Sequence, residues 1–503
     1  MAEQNGNPLD LLKIKLAEIQ NLEHAAAVLD WDQQVSMPSG GAEARAQQLA
    51  TLEKLAHELF VSDNVGQLLA DLNADDYPEE SLEACLIQVV REDWEKERKL
   101  PSTLVEEIAR TTSQAQEAWA KARADNDFSS FQPWLEKTLE LNQRKAEYLG
   151  WEDHIYDALL DLYEPRMKSD KVSEIFTELR EGLVPLVQQI ADRKGMIDNS
   201  FLSRDFDVKR QWDFGMKALS AIGFDLNRGR QDRSTHPFTT NFSRNDVRVT
   251  TRIFPGNMTS AFFSTMHEGG HGLYEQNVGE ELEYTPLATG TSLGIHESQS
   301  RLWENLIGRS EAFWHHYYPE LKRLFPSELQ SVSVEQYYQA INLVEPSLIR
   351  VEADEVTYNL HIFLRFDLER ELLSGQLAVK DLPQAWNDRM EEYLGIRPEN
   401  DADGVMQDVH WSAGLMGYFP TYALGNLLSV QFYRQAEQAI PDLETQISNG
   451  DFRPLREWLT ENIYRHGRKL YPADLVKKVT GEEISAGPFL EYARDKFGKI
   501  YQL

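Results

Sequence analysis

Two histidines lie four residues apart in the segment STMHEGGHGLYEQN, with a glutamate directly after the first. On an α-helix, residues i and i+4 share a face, so His267 and His271 could bind one zinc ion through ring nitrogens at about 2.0–2.1 Å. Glu268 would lie one residue round the same helix, where its carboxylate could accept a proton from an attacking water. These residue types at this spacing indicate metal-assisted hydrolysis, provided that the segment is helical.

The helix must accommodate two poor helix formers, Gly269 and Gly270. Two glycines in place of alanines cost about 2 kcal/mol of helix propensity, which packing has to offset. On an ideal helical wheel, Gly269 lies in the middle of an apolar row opposite the histidines. The row consists of Phe262, Met266 and Leu273. We therefore predict a helix whose backbone at Gly269 is closely approached by a second helix or strand.

A catalytic zinc ion needs a third protein ligand and an open position for water. The downstream segment TGTSLGIHESQSRLWENLIG has the pattern of a capped helix, and Glu297 lies one turn into it. We predict Glu297 as the third ligand and interpret Glu304, on the same helix face, as a solvated charge. The acidic run with Glu280, Glu281 and Glu283 is an alternative, although its polar surroundings favour an exposed loop.

Composition limits the partners and the compartment. The chain has 503 residues, 41% of them hydrophobic, and a formal net charge of −31. The negative charge disfavours nucleic acid and anionic membranes as partners. The N-terminus has no signal-peptide pattern, and no apolar run reaches the roughly eighteen residues of a membrane span. We interpret the single cysteine, Cys85, as a buried hydrophobe, and we expect a cytoplasmic protein.

Apolar residues recur at helical spacing over long stretches and predict a mainly α-helical fold. Examples are Leu12, Leu16 and Ile19, then Leu49, Leu52 and Leu55, then Leu135, Leu139, Ala146 and Leu149. Directly before the histidine motif, Val247, Val249, Thr251 and Ile253 alternate with polar residues, which predicts a half-buried strand. We expect a small sheet of two or three strands there. No long linker or repeat marks a domain boundary.

The HEGGH motif is one of six short motifs whose order along the chain is informative. They are HPF (236–238), DVRVT (246–250), HEGGH (267–271), HESQS (296–300), IRVEAD (349–354) and GVMQDVHW (404–411). Together they resemble the thermostable metallocarboxypeptidases of the carboxypeptidase Taq family. The N-terminal segment LDWDQQVSMPSGGAEARAQQLA is also similar to that family. The resemblance therefore extends over essentially the whole chain.

The resemblance implies a mainly α-helical, two-lobed metallopeptidase with a deep central groove, similar in fold to neurolysin and angiotensin-converting enzyme. It implies one catalytic domain over residues 1–503, with helices of roughly residues 1–100 covering the groove. The implied activity is release of single amino acids from peptide C-termini, with broad specificity, by a cytosolic homodimer. One zinc ion per chain, replaceable by cobalt, would be bound by His267, His271 and Glu297, with Glu268 as general base.

A carboxypeptidase must recognise a free α-carboxylate, and an arginine fork is a natural bidentate partner for it. The family pattern supports Arg350 of IRVEAD and Arg248 of DVRVT in this role. The alternative is that each arginine pairs with a neighbouring acid, such as Asp354 or Asp246, for structural reasons.

The oxyanion of the tetrahedral intermediate also needs hydrogen-bond donors. By similarity to the wider fold group, His410 and a following tyrosine fit this role, and we favour Tyr422 over Tyr418. His236 of HPF is a candidate for contact with the substrate backbone, or else a structural turn histidine.

Two other functional classes remain open from the residues alone. The same metal could serve an endo-oligopeptidase or a dipeptidyl carboxypeptidase. Alternatively, the chain could be a helical binding protein in which the HExxH pattern is accidental. The metal content and the products from a short peptide distinguish these classes.

Overall fold

The computed structural model describes residues 7–503 and is mainly α-helical with one small β-sheet, as the sequence predicts. The elements before the sheet are α1 Pro8–Val35, α2 Ala42–Phe60, α3 Asp63–Ala70, α4 Leu82–Lys99, α5 Ser102–Asp125, α6 Phe128–Leu149, α7 Ile155–Leu160, α8 Ser169–Ala191 and α9 Val208–Ile222. The strands are β1 Gly229–Arg233, β2 Thr239–Ser243 and β3 Asp246–Thr251.

The elements after the sheet are again helical. They are α10 Met258–Asn277, α11 Leu293–Arg301, α12 Glu311–Leu324, α13 Pro326–Leu329, α14 Val334–Ile341, α15 Thr357–Leu373, α16 Leu382–Leu394, α17 Pro420–Ala439, α18 Leu443–Ser448, α19 Arg453–Asn462, α20 Pro472–Thr480 and α21 Gly487–Tyr501. A π-helical stretch, Leu302–Ile307, continues directly from α11 and is called the π segment below. Short 3-10 turns lie at Ser39–Gly41, Ala74–Asp76, Ser200–Ser203, Glu280–Leu282, Arg350–Glu352, Val379–Asp381 and Tyr464–Lys469.

The chain forms two compact units, each assembled from three separate stretches. The first unit comprises the residues through Arg98, Asp198–Ile341 and Phe432–Glu483. The second unit comprises Lys99–Ile197, Asn342–Gln431 and Ile484–Leu503. Because the chain returns to each unit, no single linker separates them, and the sequence accordingly shows no boundary. That residues 1–503 act as one catalytic domain stays a prediction.

The first helix follows directly from local sequence signals. Asn7 caps α1 through its side chain, and Pro8 occupies the first turn, where its missing N–H costs nothing. The predicted apolar face is buried and consists of Leu12, Leu16 and Ile19. Helix α2 is also present as predicted, but Leu55 is 44% exposed. Helix α1 packs against both α2 and β2, while the predicted cover over a groove stays a prediction.

The single cysteine is buried, as the sequence predicts for a small hydrophobe. Cys85 lies on α4 and is 4% exposed, and burial raises the pKa of its thiol. Among residues 7–503, no helix combines the length and apolar character that a bilayer span requires.

The sheet has the strand order β1-β3-β2, with β1 parallel and β2 antiparallel to β3. Strand β3 is the predicted one, and Val247 and Val249 are fully buried in it. It ends at Thr251, so Ile253 lies beyond the strand. Strand β1 was not predicted because its sequence, GRQDR, carries no apolar alternation. Gly229 permits its pairing, since a Cβ there would overlap the carbonyl oxygen of Val247.

Helix α10 carries the histidine motif and packs closely at its glycines. Its predicted apolar row, Phe262, Met266 and Leu273, is buried. A Cβ at Gly269 would lie 2.8 Å from Leu219 Cδ1 of α9. A Cβ at Gly270 would lie 2.6 Å from the Gln299 carbonyl oxygen and 2.7 Å from Ser300 Cα of α11. A second helix thus approaches Gly269 as predicted, but the tighter contact, backbone against backbone, is at Gly270.

Gly270→Ala is expected to lower the thermal unfolding temperature more than Gly269→Ala. At Gly270 the added methyl group meets the backbone of α11, so the helices must separate at a cost of about 1–3 kcal/mol. At Gly269 it meets the end of a leucine side chain, which can rotate, and alanine regains about 1 kcal/mol of helix propensity.

The control is Gly498→Ala on α21, where an added Cβ has nothing within 4 Å and should be neutral or stabilising. Circular dichroism melts measure all three variants. Equal shifts for Gly269→Ala and Gly270→Ala would contradict the packing difference.

Candidate metal centre

Helices α10 and α11 bring the three predicted ligands together. His267 and His271 lie one turn apart on α10. Helix α11 begins after the N-cap Ser292, whose hydroxyl accepts a hydrogen bond from the Ile295 amide, and Glu297 follows within the next turn. The close passage of the two helices lets the Glu297 carboxylate reach both imidazoles.

Both ring Nε2 atoms lie near the same carboxylate oxygen. His267 Nε2 is 3.6 Å and His271 Nε2 is 3.4 Å from Glu297 Oε2. Two ligand atoms bound to a tetrahedral zinc ion at about 2.0–2.2 Å stand about 3.3 Å apart, so these residues fit such a cation. In the part of the chain that the structure describes, this is the one group of three potential ligands with suitable spacing, all ligand atoms lying within 4.8 Å of one another.

Glu304 supports His267 from behind, and its interpretation as a solvated charge is wrong. Its Oε2 lies 2.9 Å from His267 Nδ1, and its side chain is 12% exposed. The guanidinium groups of Arg301 and Arg309 lie 3.4 and 3.5 Å from its carboxylate. The predicted shared face with Glu297 is real, but that face is buried. The acidic residues Glu280 and Glu281, by contrast, are exposed as predicted.

Glu297 is held as an anion by its neighbours. Arg301 Nε donates to its Oε1 over 2.7 Å, and the Ser300 hydroxyl lies 3.0 Å from its Oε2. Burial alone would raise the pKa of Glu297, but Arg301 and His267 hold it well below the usual value. The same carboxylate can therefore serve as a ligand without first losing a proton.

The two histidines have opposite proton affinities. Burial would lower the pKa of His267, but Glu297 and Glu304 outweigh burial and raise it to about 9. For His271, burial prevails over its hydrogen bond to Glu297, and its pKa falls to about 3. One proton therefore resides on His267, and a cation bound by both rings would displace it.

Glu268 lies beside the ligands in a setting suited to a base. Its side chain is 6% exposed, and its Oε2 lies 2.7 Å from the hydroxyl of Thr239 on β2. Burial raises the pKa of Glu268, although His267 and the Thr239 hydrogen bond oppose the rise. A carboxylate with a raised pKa accepts a proton from water more readily than an exposed one.

Arg350 belongs to the second unit and is buried, with its side chain 5% exposed. Its Nε and Nη2 donate to Asp408 Oδ1 over 3.1 and 2.9 Å, and its Nη1 donates to the Tyr358 hydroxyl over 2.7 Å. Asp354 does not pair with it, contrary to the alternative considered from the sequence. Asp354 instead accepts hydrogen bonds from the Val356 and Thr357 amides at the start of α15.

Asp408 is shared by two arginines. Its Oδ2 accepts from Nε of Arg365, a fully buried side chain, over 2.7 Å, while Arg350 holds Oδ1. Burial would raise the pKa of Asp408, but the two guanidinium groups hold it well below its usual range. One carboxylate thus bridges two cations, which leaves Arg350 incompletely neutralised by its hydrogen-bonded partners.

His410 and both candidate tyrosines lie together in the second unit. His410 Nε2 is 3.4 Å from the Tyr422 hydroxyl, and its ring packs on Tyr418 with centroids 5.6 Å apart. The Arg350 guanidinium lies over the Tyr422 ring at 5.1 Å. Burial lowers the pKa of His410 to about 4, although Asp408 opposes the shift, so the ring is neutral at physiological pH.

Arg248 and His236 lie in the first unit. Arg248 forms a bidentate pair with Asp246 over 3.0 Å at both contacts, which is the structural pairing considered from the sequence. Its guanidinium also lies 4.3 Å from the Trp31 ring centroid. His236 is exposed between β1 and β2, and its carbonyl accepts a hydrogen bond from Ser234. The substrate-binding roles of both residues stay predictions.

Three residues around the centre were not predicted as functional, although signals exist for each. Glu304 shares a face with the predicted ligand Glu297. Glu275 lies four residues after His271 and so on the same side of α10. His296 directly precedes Glu297 and contacts both His271 and Glu275.

Sequence and backbone are both similar to those of known carboxypeptidases. The profile described as "Carboxypeptidase Taq (M32) metallopeptidase" matches residues 11–497. Thermostable carboxypeptidase 1 of Thermus thermophilus is 42% identical over 495 residues, covering 96% of this chain and 97% of that protein. Carboxypeptidase 1 of Bacillus subtilis is 38% identical over 496 residues, covering 98% of both. The M32 carboxypeptidase structure from Deinococcus radiodurans R1 superposes with a TM-score of 0.95 at 42% identity, covering 99% of this chain and 100% of that one.

Glu304→Gln is expected to weaken binding of a divalent metal ion by about 10- to 100-fold, because His267 loses the carboxylate that orients its ring. Competition with a chromophoric chelator measures the dissociation constant. Glu311→Gln is the matched control, since Glu311 is exposed on α12. Equal affinities for the two variants would show that Glu304 does not support the ligand.

Proposed function

The chain belongs to the carboxypeptidase Taq (M32) family of metallopeptidases, and on that premise we propose that it is a zinc carboxypeptidase of broad specificity that releases single amino acids from peptide C-termini. The observation that carries the proposal is the convergence of His267, His271 and Glu297 beside the buried carboxylate of Glu268.

Two imidazoles and one carboxylate are a donor set that catalytic zinc sites use, and cobalt accepts the same ligands. A divalent cation held by these residues would lower the pKa of water and polarise a peptide carbonyl. The proximity of the ligand atoms supports the proposal, since both Nε2 atoms lie within 3.6 Å of Glu297 Oε2.

Glu268 is proposed as the general base. Its carboxylate accepts the proton of the attacking water and returns it to the leaving amine, so that one group serves both steps. Thr239 supports this role by holding Oε2 at 2.7 Å and fixing the rotamer of the side chain. The raised pKa of Glu268 favours proton uptake.

Roles in substrate recognition are proposed for five residues. Arg350 would bind the terminal carboxylate, with its position set by Asp408 and Tyr358. His410 and Tyr422 would donate hydrogen bonds to the oxyanion, as two donors whose polar atoms lie 3.4 Å apart. Arg248 is a second candidate for the carboxylate, although Asp246 occupies its fork, and exposed His236 is a candidate for the peptide backbone.

The proposal includes peptides as the only class of substrate, a homodimer, and a cytoplasmic location. The family resemblance supports the dimer. The buried, free thiol of Cys85 is compatible with a reducing compartment.

A peptide of ten residues is expected to yield a ladder of products, each shorter by one C-terminal residue, when digested and followed by mass spectrometry. Glu268→Gln should slow the ladder by about 100- to 10,000-fold, because general-base catalysis is lost. The variant should retain the bound metal, since Glu268 is not a ligand.

The matched control is Glu281→Gln in the exposed turn after α10, which should leave the ladder unchanged. Internal fragments in place of the ladder would indicate an endopeptidase. Unchanged activity of Glu268→Gln would refute the role of the base.

Arg350→Ala is expected to lower kcat/KM by about 10- to 100-fold on peptides with a free C-terminal carboxylate, because a charge-assisted hydrogen-bonded pair is lost. Peptides with an amidated C-terminus should be affected much less. Arg350→Lys tests the fork, because it keeps the charge but not the bidentate geometry. Thermal melts verify folding, and equal losses on free and amidated peptides would contradict the assignment.

A further inference from the structure

The two histidine ligands are supported by groups of different charge. His267 Nδ1 faces the Glu304 carboxylate at 2.9 Å. His271 Nδ1 instead lies 2.6 Å from Nδ1 of a third histidine, His296. The other ring nitrogen of His296, Nε2, lies 2.6 Å from Glu275 Oε1. His271 is therefore supported by two side chains in series, His296 and Glu275, and the second of them is a carboxylate.

The chain of contacts allows one arrangement of protons when His271 Nε2 serves as a ligand. A neutral imidazole that ligates through Nε2 carries its proton on Nδ1. The Nδ1–H group of His271 then donates a hydrogen bond to Nδ1 of His296. Because Nδ1 of His296 is the acceptor, the proton of His296 must be on its Nε2. That N–H points at Glu275, an acceptor when ionised. A doubly protonated His296 would instead set two N–H groups against each other across 2.6 Å.

We propose that His296 is a positioning residue that fixes the tautomer and ring orientation of His271 through this Nδ1 contact, with Glu275 as its anchor. The inference rests on the proposed metal binding by His267, His271 and Glu297, and it adds two residues to that site.

The ring of His296 is closely packed by its neighbours. It stacks on Tyr274, with centroids 4.9 Å apart and planes inclined by 29°. Gly290 borders both rings, since an added Cβ there would lie 2.9 Å from His296 Cδ2 and 3.2 Å from Tyr274 Cε1. This packing restricts the orientation of the His296 ring, as a residue that positions a metal ligand requires.

Glu275 is an anchor because its own oxygens are occupied. Asn241 on β2 donates to Oε2 over 2.6 Å, and the Thr289 hydroxyl donates to Oε1 over 3.1 Å. The side chain is 7% exposed. The carboxylate thus cannot turn away from His296 without breaking hydrogen bonds that water cannot readily replace.

The imidazole of His296 also separates the Glu275 carboxylate from His271. Three carboxylates, those of Glu268, Glu297 and Glu304, already lie at or directly behind the ligands. A fourth in direct contact with His271 would add repulsion among them. His296 orients His271 while it keeps the Glu275 charge one ring further away.

The test uses two nearly isosteric variants of the full-length protein, His296→Asn and His296→Leu. Asparagine offers Oδ1 as an acceptor near the former Nδ1, and leucine fills the same space without an acceptor. Dissociation constants for Zn²⁺ and Co²⁺ come from chelator competition, and the visible absorption spectrum of bound Co²⁺ reports ligand geometry. His296→Leu is expected to weaken both metals by about 10- to 100-fold and to alter the Co²⁺ spectrum. His296→Asn is expected to restore both properties.

Equal behaviour of the two variants, whether both are weakened or neither is, would overturn the proposal, because packing alone would then account for His296. Thermal melts without added metal verify that both variants fold. If the unaltered protein binds neither metal, the proposed function fails instead, so the two failures are distinguishable.

Discussion

The candidate metal centre depends on the close passage of α10 and α11 at Gly270. A side chain at this position would collide with the backbone of the neighbouring helix. The approach brings Glu297 from one helix to the two histidines of the other, and it places the residues that follow Glu297 behind His267. Gly270 lowers the intrinsic stability of α10, but it lets the two helices come close enough for Glu297 to reach the histidines. Glycine is commonly found where two backbones must approach closely.

The buried carboxylates of the centre are balanced by arginines on the same stretch of chain. Arg301 bonds Glu297 and lies 3.4 Å from Glu304, while Arg309 lies 3.5 Å from Glu304. Buried acids without such partners would be protonated and would bind cations poorly. Here Arg301 and Arg309 keep Glu297 and Glu304 ionised, and the proton that a cation must displace resides on His267. The arginines thus keep the carboxylates charged, and Arg301 bonds Glu297 through Oε1, which leaves Oε2 facing the two histidines.

The sequence suggests His267, His271 and Glu268 as candidate ligands and base because they share a short spacing within one helix, and it suggests Glu297 from the capping pattern of a second helix. It also predicts β3, whose alternation is plain in Val247 and Val249. Prediction from the sequence fails where contacts with another element determine the structure. Strand β1 is polar and forms because it pairs with β3. Leu55 lies on a helix as predicted, but no neighbouring element buries it. Glu304 is the clearest case, since a helical wheel shows that it shares a face with Glu297 but not that the face is buried. The pairing of Arg350 with Asp408 joins residues far apart in the chain, and no local pattern indicates it.

The π segment has a consequence for how this part of the chain can vary. Over Leu302–Ile307 the backbone holds one residue more per turn than an α-helix would, as though a residue had been inserted into the end of α11. Removing one residue there would let an ordinary helix continue, and it would redirect the side chains inside the segment, because neighbouring residues on a helix point about 100° apart. The acid that supports His267 lies inside the segment, and Arg309 follows two residues after its end. We expect the length of this stretch to be inherited more strictly than its composition: exchanges between apolar side chains are tolerable there, but single-residue insertions and deletions are not.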